Sequence, residues 1–221
     1  MGGDTFPMNI VVRTLSEQVF NVVREQIVTG KLPIDQAIRQ DALANTLGVS
    51  KIPLREALAR LEHEGLLVSH ANRGYFVRAM SAEEAEEIFA LRLSIEPDAV
   101  AAAALAATDE DRKAAREALA ALDGAAANQL GDVAARNRDF HMTLVRPGRR
   151  LLTTQLVERL QVLSERYVYK HLEPAGREDR AHLEHEVLLE AWASGDAGRA
   201  RSLAAAHIGG TLSDLRRQLG R

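Results

Sequence analysis

The sequence contains no cysteine, which excludes disulfide bonds, thiolate metal sites and cysteine nucleophiles. It also lacks any run of about 18 uncharged apolar residues, so no segment predicts a membrane span. The N-terminal stretch has neither the basic region nor the apolar core of a signal peptide. We therefore expect a cytoplasmic protein, and 221 residues with 46% hydrophobic content allow one or two domains with a substantial core.

Residues 38–78 carry the most informative pattern, which predicts two short helices followed by a β-hairpin. Gly48 provides the turn between the helices, and Ser50 is a favourable N-cap for the second one. Gly65 ends that helix, and a strand, a polar loop with Arg73 at its tip and a second strand follow. This order of elements is typical of a winged helix-turn-helix, a module that binds DNA.

The second of these helices is expected to have one buried and one exposed side. Leu54, Leu58 and Leu61 recur at helical spacing and predict its buried stripe. Lys51 and Arg55 then lie on the opposite side near the N-terminus, which is the end that enters a major groove in such modules. Two short helices joined by a glycine also occur in small helical proteins of other kinds. The combination of turn, capped helix, closing glycine and wing favours DNA binding.

Strand patterns end near residue 80, and apolar residues then recur at helical spacing almost to the C-terminus. An amphipathic helix over residues 14–30 precedes the helix-turn-helix and completes a small first domain. We predict a mainly α fold, with a winged helix-turn-helix over residues 9–78 and an all-α bundle over residues 82–221. Thr108 and several glycines and prolines divide the bundle pattern into helices. These are expected over residues 82–107, 109–128, 131–146, 149–171, 178–194 and 196–218.

The net charge of −3 is small but unevenly distributed. Residues 9–78 contain nine lysines and arginines against seven acidic residues, whereas residues 79–221 contain nineteen against twenty-three. The basic excess therefore lies in the half that carries the DNA-binding pattern. So weak a positive field indicates that one copy binds DNA poorly and that two copies on a two-fold-symmetric site are needed.

A second informative set of residues lies in the predicted bundle, where polar side chains interrupt apolar stripes. Asn137 and His141 are four residues apart on one helical face, and His185 and His207 lie on the inner faces of later helices. Three neutral imidazoles and an amide oxygen suit a divalent metal such as Zn or Ni. Each histidine taken alone is more often an ordinary core residue. His182 is a partner of the ligands, an alternative ligand or a solvated histidine.

The run LANTLGVSKIPLREALARLEHEGLL, followed by NRGYFV, resembles the winged helix-turn-helix of GntR-type bacterial transcription regulators. The resemblance implies two groups of DNA-contacting residues. They are Ser50, Lys51, Ile52, Pro53 and Arg55 on the recognition helix, and Asn72, Arg73 and Gly74 on the wing. Asp41 stands where many relatives place a phosphate-contacting arginine, and we expect Arg39 to take over that contact. Ile34–Asp35 likewise replaces the usual Pro-Gly turn.

Three later segments resemble the FCD effector domain of FadR-like GntR regulators: NRDFHMTL, HEVLLEAWASGD and the histidine eleven residues after that aspartate. In metal-binding members these positions hold a divalent cation. The implied ligands are Asn137, His141, His185 and His207. Asn137 replaces the commoner aspartate and removes one negative charge from the site.

The same resemblance implies an effector-binding residue, Arg92, in the pattern LRLSIE. An arginine in this place often faces the pocket of FCD proteins, where its planar guanidinium can grip a carboxylate through two hydrogen bonds. The alternative is a surface ion pair between Arg92 and Glu96, which are four residues apart. A small organic acid is the effector that this site predicts.

These features together predict a ligand-controlled repressor rather than an enzyme. A homodimer would place two recognition helices on a palindromic DNA operator, and an organic acid bound at the metal would shift the relative orientation of the two heads. A regulator in which the cation itself is the signal is one alternative. A metal-dependent hydrolase is another, but the segment HLEHE lacks the spacing of the H-E-x-x-H motif.

Overall fold

The computed structural model describes residues 14–34, 36–127, 133–172 and 177–219. Helices dominate it, and a two-stranded antiparallel sheet lies between the third and the fourth helix, which confirms the predicted mainly α fold. The helices are α1 (Leu15–Val28), α2 (Gln40–Leu47), α3 (Lys51–His63), α4 (Ala82–Ala106), α5 (Asp109–Ala127), α6 (Val133–Thr143), α7 (Leu151–Leu172), α8 (Arg177–Ala193) and α9 (Ala197–Gln218). The strands are β1 (Leu67–His70) and β2 (Gly74–Val77). Residues 9–13 and Asp35, to which predictions were also attached, lie outside the described residues.

The first three helices and the hairpin share one hydrophobic core. Leu54, Leu58 and Leu61 are fully buried on α3, in agreement with their spacing. Gly48 has a φ of +66°, a backbone conformation that glycine adopts without the steric cost of a Cβ atom. Ser50 does occupy the N-cap position of α3, but its exposed side chain makes no capping hydrogen bond. The start of α3 is therefore set by the turn and by packing rather than by the serine hydroxyl.

The hairpin forms a wing that is anchored to this core at its base. Leu67 pairs with Val77 in the register of the sheet, and both side chains are buried. The backbone N–H of Ile38 donates a 2.8 Å hydrogen bond to the carbonyl of Tyr75, which joins the segment before α2 to the wing. The wing is thus held at one end, and its polar loop extends into solvent.

The remaining helices form the bundle, with ends close to those expected. Helix ends coincide with the predicted breaks at Thr108, Pro147–Gly148 and Gly195. The predicted third bundle helix is shorter than expected, because α6 ends at Thr143 and a short 3₁₀ turn follows at Arg146–Gly148. The predicted breaks at Gly131 and at residues 174–176 lie outside the described residues.

The bundle helices, α4 to α9, pack against one another in several pairs. Helix α4 packs against α7 and α9, α8 packs against α5 and α9, and α6 packs against α5 and α7. Trp192 and Phe140 lie in the larger of two bundle cores, and Phe89 and Tyr167 lie in the smaller one. Among the described residues, no helix is both long enough and apolar enough to cross a bilayer.

Candidate metal centre and nucleic-acid interface

Three histidines from three helices meet inside the bundle. They are His141 on α6, His185 on α8 and His207 on α9, and their ligating nitrogens all lie within 4.8 Å of one another. Nε2 of His185 is 3.3 Å from Nε2 of His207. His141 and His185 are buried and the side chain of His207 is 11% exposed, so the protein surrounds most of the space between these nitrogens.

The spacing and the chemistry of these nitrogens fit a divalent cation. Two nitrogens bound at about 2.1 Å to one tetrahedral or octahedral ion lie about 3.0 to 3.4 Å apart. The 3.3 Å between the Nε2 atoms of His185 and His207 falls in that range. Nε2 of His141 is buried and has no hydrogen-bond partner in the described part of the chain. A buried nitrogen without a partner costs free energy that coordination to an ion would recover.

Burial keeps two of the imidazoles in the neutral form that binds metals. Desolvation lowers the pKa of His141 well below its usual value, and the neighbouring His185 and His207 lower it further. Desolvation, followed by the effect of His207, lowers the pKa of His185 in the same way. Proton competition for these nitrogens is therefore weak at neutral pH.

The imidazole of His207 is oriented by a carboxylate, Glu184, that sequence reasoning did not identify. Nδ1 of His207 lies 2.7 Å from Oε2 of Glu184 on α8. Because an ionised carboxylate only accepts hydrogen bonds, Nδ1 carries the proton and Nε2 presents its lone pair to the other histidines. Glu184 directly precedes His185, and adjacent helical residues do not share a face, so no spacing in the sequence indicated this role.

Asn137 lies one helical turn before His141 on α6 and is buried beside the cluster. Together with His141 and His207 it lines a cavity of about 20 Å³. The structure thus brings the four residues of the expected ligand set to one place.

His182 lies away from this cavity. Its Nδ1 is 2.8 Å from Oδ1 of Asp123, and its Nε2 is 3.4 Å from Oε1 of Glu186. The hydrogen bond to Asp123 raises the pKa of His182. Of the roles considered for this residue, the contacts support that of a solvated histidine in a surface ion pair.

Arg92 lines the same cavity, but its guanidinium is already engaged. Its Nε and Nη2 donate to the carboxylate of Glu96 at 2.7 and 3.1 Å, and its Nη1 donates to Ser164 Oγ at 3.1 Å. Nε2 of Gln161 donates to the same carboxylate at 3.0 Å. The predicted alternative, an ion pair between Arg92 and Glu96, does form. It is buried and not at the surface, because both side chains are only 3% exposed. The four-residue spacing indicates that two side chains can meet but not whether neighbouring helices cover them.

A buried carboxylate connects the bundle to the first domain. Oε1 of Glu165 on α7 lies 2.6 Å from Nη2 of Arg24 on α1 and 3.0 Å from Nη1 of Arg138 on α6. Burial raises the pKa of Glu165, and both arginines oppose that shift. Arg138 directly follows Asn137 in the chain. The carboxylate of Glu165 thus links α7 to α1 and α6, and α6 also carries Asn137, an expected metal ligand.

The residues expected to contact DNA lie together at one end of the first domain. Lys51, Ile52 and Arg55 are exposed at the start of α3, and Arg73 is exposed on the wing loop. Ser50 and Asn72 are also exposed, whereas Pro53 and Gly74 are half-buried. Between these elements lies a groove of about 780 Å³, whose charged lining residues are Arg39, Asp41, Lys51, Arg55 and Arg73. The groove has the basic, open character of a surface that binds a polyanion.

Comparison with known families agrees with this arrangement of two parts. Residues 15–77 match the family of bacterial regulatory proteins, gntR family, and residues 87–210, more than half of the chain, match the FCD domain. This chain belongs to the GntR family. Its C-terminal part is an FCD domain, which contains all three histidines of the cluster.

Individual relatives of this GntR-family chain are regulators of transcription rather than enzymes. The Nta operon transcriptional regulator of Aminobacter aminovorans is 34% identical over 131 residues, which are 59% of this chain and 61% of that protein. The transcriptional repressor GlaR of Escherichia coli is 29% identical over 196 residues, covering 84% of this chain and 89% of GlaR. The solved structure of E. coli McbR/YncC has a TM-score of 0.77 at 25% identity and covers 94% of this chain and 99% of that one. The Nta regulator is thus matched over only about three fifths of its own length.

Proposed function

We propose that this GntR-family protein is a repressor of the FadR-like subgroup, whose binding to operator DNA is controlled by a small carboxylate bound at a divalent metal. The observation that carries the proposal is the cluster of three histidines, in which Nε2 of His141 is buried and has no hydrogen-bond partner among the described residues. This cluster lies in the FCD part, whereas the basic groove lies in the helix-turn-helix part. Such a separation of a sensing site from a DNA-binding surface is what a ligand-controlled regulator needs.

The expected ligands to the metal are Asn137, His141, His185 and His207. Imidazole ligands favour Zn or Ni, and when bound the ion supplies a Lewis-acidic centre for a carboxylate oxygen. Because three imidazoles and an amide carry no charge, they leave the positive charge of a divalent ion uncompensated. Arg92 lines the same cavity, but Glu96 compensates its charge, so the bound ion would supply the positive charge of the site. The charge balance of this site therefore favours an anion as effector.

We further propose that two copies bind a palindromic operator as a homodimer. Four leucines of the bundle are strongly exposed: Leu105, Leu151, Leu152 and Leu156. The Cβ position of Gly148 lies 3.5 Å from the backbone of Ala103, so the segment just before α7 adjoins the C-terminal part of α4. A contiguous apolar patch on the surface favours self-association, which light scattering on the purified protein can measure.

The route from the metal centre to the DNA-binding domain is proposed to pass through Glu165. A shift of α6 that follows effector binding at the metal beside Asn137 moves Arg138, and Arg138 shares the carboxylate of Glu165 with Arg24 on α1. The reorientation of α1 then changes the position of α3, because the two helices pack in one core.

A second candidate is regulation by the cation itself, without an organic effector. The observation that favours it is the small volume beside the histidines, since about 20 Å³ accommodates about one water molecule. A single ion fits such a space without any rearrangement of Arg92 and Glu96.

Titration of metal and acids separately tests both candidates. An operator is first selected from a pool of random duplexes, and its affinity for metal-stripped protein is measured before and after addition of Zn²⁺ and of a panel of small mono- and dicarboxylates. We expect the carboxylates to change the affinity only after Zn²⁺ has been added, and His141→Ala to abolish the change while the helical circular dichroism is retained. A full change with Zn²⁺ alone supports the second candidate, and no change with either ligand contradicts both.

A further inference from the structure

We propose that Asp41 limits the affinity of the first domain for DNA of any sequence by holding the ammonium group of Lys51. The inference rests on the proposed binding of DNA by this domain. It concerns a residue that opposes binding, whereas the expected contact residues all promote it.

The geometry places an acid inside a basic groove. Asp41 lies in the first turn of α2, and Lys51 is the first residue of α3. Oδ1 of Asp41 is 2.5 Å from Nζ of Lys51, and both side chains line the groove that Arg39, Arg55 and Arg73 also line. Four positive side chains and one negative side chain therefore share this surface.

The pair alters what the start of α3 presents to a phosphate. Affinity for DNA of any sequence comes mainly from cations that displace counterions from the phosphates. A lysine ammonium in contact with a carboxylate offers little net charge for this exchange, and the carboxylate also repels phosphate. The side chains are 63% and 73% exposed, so the ion pair is weak and phosphate competes with it rather than being excluded. Asp41 thus reduces the affinity by a graded amount.

The same acid also has a structural role, because it lies in the first turn of α2. A negative charge in the first turn of a helix interacts favourably with the helix dipole, which contributes about 0.3 to 1 kcal/mol. Asp41→Asn keeps the size of the side chain and removes only the charge. Thermal unfolding of each variant shows whether α2 has been destabilised.

The test uses the full chain and a duplex of about 30 base pairs with random sequence, so that no operator needs to be known. Affinity is measured by fluorescence anisotropy across about 50 to 200 mM KCl for the wild type, Asp41→Asn, Lys51→Ala and the double variant. Asp98→Asn is the matched control, because Asp98 forms an ion pair of the same length, 2.5 Å, with Arg201 on the bundle at similar exposure.

We expect Asp41→Asn to raise the affinity for the random duplex about threefold to fivefold and to steepen the salt dependence by about one ion per bound domain. In the Lys51→Ala background the same substitution should have a clearly smaller effect, because the lysine that it releases is absent. Asp98→Asn should bind like the wild type.

Three outcomes overturn the inference or its basis, and they are distinguishable. An unchanged affinity and salt slope in Asp41→Asn, with normal unfolding, shows that Asp41 does not limit DNA binding. An equal gain with and without Lys51 shows that the acid acts by general repulsion and not by holding that lysine. If the wild type binds no duplex even at the lowest salt, the proposed function of the domain fails instead.

Discussion

Glu184 decides which nitrogen of His207 faces the other two histidines, because its Oε2 accepts a hydrogen bond from Nδ1, which lies 2.7 Å away. Carboxylates that fix the tautomer of a metal-binding histidine also raise its basicity. The neighbouring Glu186 lies on the same helix but contacts His182, which is outside the cluster. These two glutamates of α8 therefore have different expected effects on a metal.

Replacement of Glu184 by alanine should lower the affinity for Zn²⁺ by about tenfold or more, because His207 loses the partner that orients it. Competition with a chromogenic chelator measures this affinity. Glu184→Gln should restore part of it, since an amide oxygen still accepts a hydrogen bond from Nδ1, and Glu186→Ala should bind Zn²⁺ as the wild type does. Equal affinities for Glu184→Ala and the wild type would show that His207 is oriented by other contacts.

The site residues that could be predicted from the sequence are those that belong to a periodic pattern or to a family motif. The three histidines and Asn137 interrupt apolar helical stripes, so they could be singled out before any contact was known. Glu184 and the buried state of Glu96 could not be found in this way. Their roles depend on which neighbouring helix covers them, and that is a property of tertiary packing.

At the scale of elements, the helix ends could be predicted because glycine, proline and threonine interrupt the periodic pattern at several of them. The turn at Gly48 and the end of α3 at Gly65 both use positive φ angles, which glycine favours. The short 3₁₀ turn at Arg146–Gly148 was missed, since Pro147 was read only as a break and not as part of a tighter turn.

The exposed leucines of α7 carry a prediction about assembly. Leu152 is 74% exposed beside Leu151 and Leu156, and a charge there should prevent two apolar patches from meeting. We expect Leu152→Glu to be a monomer by size-exclusion chromatography with light scattering, under conditions in which the wild type is a dimer. Leu183→Glu is the control, because it places the same charge on another strongly exposed leucine, which is 60% exposed and lies on α8.

A wild-type chain that remains monomeric at every concentration would contradict the proposed homodimer. A Leu152→Glu variant that still forms the dimer would leave self-association in place but would exclude this face. Circular dichroism should show the same helical content for both variants and the wild type.

At the scale of the whole molecule, the ion pair between Arg24 and Glu165 joins the two parts of the chain. The pair is buried on both sides, with side chains 8% and 2% exposed. No local spacing relates an arginine of the first helix to a glutamate of the seventh, so the sequence offered no sign of it. The distribution of charges along the sequence indicates which half binds DNA. It does not indicate the ion pair that joins the two halves.

Replacement of Arg24 by methionine should uncouple the two parts while leaving each of them folded. Glu165 keeps Arg138 as a partner, so the metal centre should bind Zn²⁺ and acid as before. The factor by which the ligands change operator affinity, about 5 to 150 in coupled proteins, should fall toward one. Parallel measurement of ligand affinity and of operator affinity with and without ligand gives this factor.

Arg60→Met serves as the control for that experiment. Arg60 is also an arginine of the first domain, but it stacks on Phe20 and pairs with Glu64 within the same domain. Retained coupling in Arg24→Met, or an equal loss in Arg60→Met, would show that the signal takes another route.

The small cavity beside the histidines has a consequence for the speed of the response. About 20 Å³ accommodates about one water molecule, so the proposed organic acid would enter only after the side chains that close the site have moved. The buried pair of Arg92 and Glu96 is the contact that must open to receive a carboxylate. At high concentrations of acid, the observed rate of binding should therefore level off at the rate of this opening. That limiting rate belongs to the protein, and every acid that fits the site should reach the same value.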